Sequence, residues 1–158
     1  MRIRILVADQ SEASFYDVEH REEMPRPAGH LSDPLAHLHE RDLTSDRPGR
    51  VFDHAPSPGG RRGAVGHHGT GGERSARKHE AASFAKRIGG ELERARENKE
   101  FDRLVVMAGP GLLGLLREAL PDHVRESVAA EVPKDLVHEP LEAVKSHLPP
   151  AAFHVTPH

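Results

Sequence analysis

The sequence has no cysteine, no tryptophan and a single tyrosine. Without a thiol there is no disulfide, no thiolate metal site and no cysteine nucleophile, and the expected compartment is the cytoplasm. Long apolar runs are missing too. Met1-Arg2-Ile3-Arg4-Ile5-Leu6-Val7-Ala8-Asp9 reaches an acid after a short apolar stretch. That stretch is too short for the core of an export signal and far too short to span a bilayer. Apolar residues make up only 36 % of the 158, against 30 % charged, so part of this one-domain length is not core. The formal net charge of -3 gives no global field towards nucleic acid. Any polyanion contact has to come from a local basic patch.

Histidine, glycine and proline are plentiful instead, at 13, 14 and 13 residues. The histidines are scattered rather than evenly spaced, and charging them at about pH 6 turns the net charge positive. The glycines crowd into one stretch, which marks the expected irregular part of the chain.

Ile3 to Ala8 is β-branched and apolar and reads as a central strand buried on both faces. Asp9-Gln10-Ser11-Glu12 reads as a turn, and Ala13 to Glu19 as the second strand of a hairpin. Met24-Pro25-Arg26-Pro27-Ala28-Gly29 breaks the pattern, and Leu35 to His39 is the expected third strand. From Arg41 to Arg74 periodicity is lost, so a long loop is expected, mobile from about Pro56 to Arg74. Ser75 is the expected N-cap of a long helix with Ala81, Phe84, Ala85, Ile88, Leu92 and Ala95 on one face. Gly89-Gly90 inside it costs about 1 kcal/mol per residue relative to Ala and would let another element approach closely.

Phe101 to Ala108 reads as a buried parallel-type strand, with Leu104–Ala108 expected beside Ile3–Ala8. Gly109-Pro110-Gly111 is the next turn, Leu112 to Leu120 a short helix stopped by Pro121, Val124 to Val132 a turn and strand, and Leu141 to Leu148 a last helix. The order β-β-β-α-β-α-β-α predicts an α/β fold with a mixed sheet of about five strands in ribonuclease-H-like order. One domain is expected over 1–148, with a Gly/Pro/Arg-rich loop at about 41–75 and a Pro-rich, fraying tail at 149–158.

Four stretches resemble the bacterial host-attachment protein family. They are Ile5 to Asp9; Ser45-Asp46-Arg47-Pro48-Gly49-Arg50-Val51-Phe52-Asp53; Lys78-His79-Glu80 running into Phe84-Ala85; and Phe101 to Ala108 with Leu113 to Arg117 and Pro133-Lys134-Asp135-Leu136. Together they cover most of the chain in the family's order. The resemblance implies a fold like the central domain of archaeal and eukaryotic class-1 release factors. It also implies a link to translation, with the ribosome or tRNA as partner and no cofactor. In those factors a Gly-Gly-Gln loop before a long helix places an amide beside the peptidyl-tRNA ester. Here Gly71-Gly72-Glu73 stands before the expected helix, with Glu73 in place of the Gln. A carboxylate lacks the NH₂ donor and is repelled by RNA phosphates.

Several groups carry candidate chemistry. In Asp46-Arg47-Pro48-Gly49-Arg50 two guanidiniums flank a Pro-Gly turn, which suits an RNA or phosphate clamp aided by Arg61, Arg62 and Lys134. The other reading is a loop staple, with Arg47 or Arg50 paired to Asp46 or Asp53. Gly71-Gly72-Glu73 is either a tip presented to a partner, with Glu73 the candidate catalytic group, or a plain linker. His67, His68, His79 and Glu80 lack metal-ligand spacing, and no metal site is expected from them. Asp9, Glu80 and Asp102 suit a two-metal nuclease poorly, because Asp102 falls at the wrong end of its strand. Gly109-Pro110-Gly111 sits where α/β sheets bind ligands, although tight strand-to-helix packing explains it equally. Lys134-Asp135 reads as a charged surface turn in preference to an ion pair.

The expected function is a non-enzymatic binding domain that engages RNA or the ribosome through the Arg/Gly-rich loop. The alternatives are a peptidyl-tRNA or ester hydrolase using Gly71-Gly72-Glu73, and a component of attachment to host cells.

Overall fold

The apolar run Ile3–Ala8 forms β1, which is buried along its whole length. The structure is a computed structural model and describes residues 1–35 and 62–154, with the backbone alone over 62–74. After β1 come β2 (Glu12–Val18), β3 (Arg26–Ser32), the long helix α1 (Arg62–Glu97) and β4 (Arg103–Ala108). The chain continues through α2 (Pro110–Ala119), the short α3 (Asp122–Arg125), β5 (Val128–Val132), α4 (Leu141–Ser146) and a 3₁₀ turn at Pro150–Phe153. The five strands make one sheet in the order β3-β2-β1-β4-β5. β1 pairs antiparallel with β2 and β2 with β3, while β1–β4 and β4–β5 are parallel. Ile3–Ala8 and Leu104–Ala108 are adjacent and central, the position that suits their largely apolar residues.

Alternation along the central strands divides the core between the two faces of the sheet. Leu6, Ala8, Phe15, Leu104, Val106 and Ala108 meet Phe84, Ile88 and Leu92 of α1 and Leu112, Leu113 and Leu116 of α2. Ile3, Ile5, Val7, Val105 and Met107 meet Leu136, Val144, Leu148 and Ala152 on the other side. Every residue of the anticipated α1 face, from Ala81 to Ala95, is buried. Arg4 is the polar member of β1, and its side chain is only 7 % exposed. It donates to Asp17 at 2.6 and 3.0 Å and to Glu100 at 3.3 Å, and lies 5.5 Å from the Phe101 ring centroid.

The third strand departs from expectation. β3 is Arg26–Ser32, which begins inside the stretch read as a break (Met24–Gly29), whereas Leu35 is helical and exposed and residues 36–39 lie outside the described residues. An edge strand tolerates Pro27, since only one side of it must donate to a neighbour. A register shift opposite Phe15/Tyr16 accommodates the irregular pairing. Asp33 then ends the strand: its carboxylate accepts the Leu35 N–H at 3.0 Å, and Pro34 has no N–H to extend the ladder.

The helix start also differs. α1 begins at Arg62, not at Ser75, so the backbone over 62–74 is helical where a mobile loop was expected; residues 41–61 lie outside the described residues. Extending a formed helix adds one hydrogen bond per residue fixed, which offsets much of the glycine penalty once the buried turns after Ala81 have nucleated it. At the other end Lys99 takes φ 58, and the Glu100 N–H reaches back to the Ala95 carbonyl at 2.9 Å. That six-to-one bond closes the helix in the manner usually given to glycine. In the expected tail, Ala152 is fully buried and its carbonyl accepts from Arg103 at 3.0 Å. The tail therefore packs at least through the 3₁₀ turn.

Candidate functional site

β1 and β4 run parallel and in register, with Ala8 opposite Ala108, so the turns that follow them lie side by side. This is where the connections leave the sheet in opposite directions, the usual place for a ligand crevice in an open α/β sheet. The first turn is fixed by Asp9. Its carboxylate accepts the Ser11 and Glu12 N–H groups at 2.8 and 2.7 Å, which leaves Gln10 exposed at the tip. The second turn is Gly109-Pro110-Gly111, with Gly109 extended as the N-cap of α2 and Pro110 in its first turn. Among the described residues nothing lies within 4 Å of a Cβ built at Gly109 or Gly111. Tight packing therefore does not explain these glycines; they keep the backbone open.

α1 supplies the third wall. Gln10, Arg77, Lys78, Ala81, Gly111 and Leu115 line a cleft of about 360 Å³. Arg77 and Lys78 sit on the exposed turn just before Ala81, the first of the buried face. Neither has a carboxylate within salt-bridge distance among the described residues. The first turn of α2 carries no acid and no side-chain cap, so the backbone at this end of the helix also favours negative charge. Asp9 is turned away into its own turn and lies 3.7 Å from His138. The cleft can therefore hold an anion between two cations, an amide and an open glycine backbone. Among the described residues that line it, none is a nucleophile paired with a base.

The candidates read from sequence are spread unevenly around this cleft. Arg47, Arg50 and Arg61 lie outside the described residues. Arg62 opens α1, and Gly71, Gly72 and Glu73 lie within it, so these glycines are part of helical backbone and not of a loop preceding it. His67 and His68 are in the same helical segment, and His79 is exposed. Lys134 is exposed just beyond β5. Since β5 is parallel to β1 and β4, that is the same end of the sheet as the cleft. Asp135 accepts the Val137 N–H at 3.2 Å, a turn as anticipated. Asp9 and Asp102 flank opposite ends of the paired strands β1 and β4, roughly 23 Å apart at strand rise, which removes a shared metal site. Asp102 instead accepts the Arg2 N–H at 2.8 Å.

Sequence reading missed Gln10, Arg77 and Lys78. Their signal was faint: two adjacent cations one turn ahead of an apolar helical face, aligned by tertiary structure with a Gly-Pro-Gly turn thirty residues on.

No helix among the described residues is long and apolar enough to cross a membrane. A comparison with curated proteins finds no match to this chain. A family model does match, over residues 4–148, and by that match the chain belongs to the family described as protein required for attachment to host cells.

Proposed function

We propose that this chain is a non-enzymatic binding domain of the cytoplasm that engages RNA, on the ribosome, with the basic end of its sheet. The observation that carries this reading is the pair Arg77 and Lys78, exposed beside the cleft with no carboxylate partner among the described residues. Guanidinium and ammonium groups of this kind bind phosphate oxygens and gain affinity by releasing counterions. The sequence around them favours the same sign. The stretch from Arg62 to Glu80 carries four cations (Arg62, Arg74, Arg77, Lys78) against two acids (Glu73, Glu80), within a chain of net charge -3. Arg47, Arg50 and Arg61 precede that stretch, and Lys134 stands at the same sheet end. They are proposed to extend the contact along a phosphate backbone.

The sheet order β3-β2-β1-β4-β5, antiparallel in its first three strands and parallel in the rest, supports a ribonuclease-H-like arrangement comparable to the release-factor domain. Residues 1–148 are taken as one domain. The family's requirement in attachment to host cells is then met through binding, without hydrolysis by Glu73.

Co-sedimentation with ribosomes tests this. Wild-type protein is expected in the pellet at low salt and in the supernatant at high salt, with Arg77→Ala/Lys78→Ala largely in the supernatant at both. Wild-type protein that stays in the supernatant at low salt contradicts the reading.

A further inference from the structure

We propose that Glu93, Glu97 and His123 form a site for a borderline divalent cation such as Zn²⁺, at the corner where α1 meets α3. Glu93 and Glu97 are four residues apart and so occupy one face of α1, a turn apart. His123 belongs to α3, and its Nε2 lies 3.9 Å from a Glu93 carboxylate oxygen. One donor atom from each residue lies within 4.8 Å of the other two. Two carboxylate oxygens and an imidazole nitrogen suit Zn²⁺, whereas Mg²⁺ and Ca²⁺ prefer oxygen alone. Tetrahedral donors on bonds of about 2.1 Å stand roughly 3.4 Å apart, so the widest separation, within 4.8 Å, has to close by up to about 1.4 Å. The side chains of Glu93 and His123 are 42 % and 45 % exposed, which leaves them free to rotate that far.

The backbone that presents these donors is held firmly. Leu92 beside Glu93 and Val124 beside His123 are fully buried. Gly89 lets the end of α2 press against α1, with the Ala119 carbonyl oxygen 3.0 Å from where a Cβ would stand. That close approach carries the following α3 up to Glu93. The neighbouring cations are committed elsewhere: Arg94 to Glu91 and Glu100, Arg96 to the Phe101 carbonyl, and Arg125 to Asp122 and the Leu120 carbonyl. Among the described residues the two carboxylates are thus left with one imidazole between them. A dication neutralises them, and three protein ligands leave a position for water or an exchangeable ligand. Lys78 and Glu93 are fifteen residues apart on one helix, about 22 Å, so this site is separate from the basic cleft.

The test is a titration of the metal-stripped full chain with Co²⁺, whose visible absorption reports its coordination, followed by displacement with Zn²⁺. Wild-type protein is expected to take up one equivalent at this site. His123→Ala and Glu97→Gln are expected to weaken uptake by roughly 10- to 100-fold or more, since even groups that only support a ligand cost that much. His67→Ala/His68→Ala should bind like wild type. Circular dichroism checks that each variant keeps its helix content. The proposal is overturned if wild type shows no saturable uptake at millimolar metal. It is equally overturned if both single variants bind like wild type, or if uptake is lost with His67 and His68 instead.

Discussion

The two glycines inside α1 should respond in opposite senses to the same substitution. Gly90 is exposed, and a Cβ there meets nothing within 4 Å. Gly90→Ala therefore gains the helix-interior preference of Ala, about 0.5–1 kcal/mol, with nothing to set against it. Gly89 is buried, and a Cβ there stands 3.0 Å from the Ala119 carbonyl oxygen, 3.6 Å from its carbon and 3.7 Å from Pro121 Cδ. The first contact is with backbone, which cannot rotate aside as a side chain does. Relieving it shifts the α2–α3 corner by a few tenths of an ångström, and overpacking of this kind costs about 1–3 kcal/mol. Set against the same propensity gain, Gly89→Ala should be net destabilising, by up to about 2 kcal/mol. At this chain length each kcal/mol moves Tm by roughly 3 °C. Thermal and urea denaturation of both variants, followed by circular dichroism, measure the difference. If Gly89→Ala stabilises as much as Gly90→Ala, the close approach of α2 to α1 is wrong.

Lys99→Gly should stabilise by about 1 kcal/mol, because Lys99 holds φ 58 at the end of α1 and glycine adopts that region without the Cβ penalty; an unchanged urea midpoint would count against this helix ending. Arg4→Ala should destabilise by about 2–3 kcal/mol. It strips Asp17 of both charge-assisted hydrogen bonds and Phe101 of its cation, and Asp17 keeps enough solvent contact to hold the loss below that of a fully buried pair. Equilibrium unfolding in urea gives the value, and a change under 0.5 kcal/mol, the size typical of surface substitutions, would reduce the Arg4 cluster to a surface ion pair.

The parts of the fold that were legible in the sequence are those where one residue period dominates. Ile5–Ala8 and Leu104–Ala108 are continuous apolar runs, which a two-sided core alone rewards, and they lie in the adjacent central strands of the sheet, with the paired Arg4 as the one interruption of β1. The 3.6-residue spacing from Ala81 to Ala95 likewise marked the buried face of α1. β3 was illegible because it is an edge strand with exposed or half-buried residues throughout, and its Pro27 and Gly29 imitate a break. The first turns of α1 were illegible because a run with five glycines between Arg62 and Gly72 has no helical period to read. There, continuation from the packed half outweighs local preference. The cleft was half legible. Gly109-Pro110-Gly111 stood out as a turn at a strand end, but Arg77 and Lys78 join it only through the packing of α1 on the sheet. The corner at Glu93, Glu97 and His123 depends on Gly89, whose role as a close-approach position could be read from sequence without its partner.

The salt dependence of RNA binding bears most directly on the function proposed for the basic end of the sheet. Fluorescence anisotropy of a labelled single-stranded RNA, titrated with wild type and with Arg77→Ala/Lys78→Ala over a range of salt concentrations, gives the slope of log affinity against log salt. Two lost phosphate contacts should make that slope shallower by roughly 1.4 units and weaken binding across RNA sequences alike. An identical slope and affinity for the two proteins would contradict the placement of the ligand at this cleft.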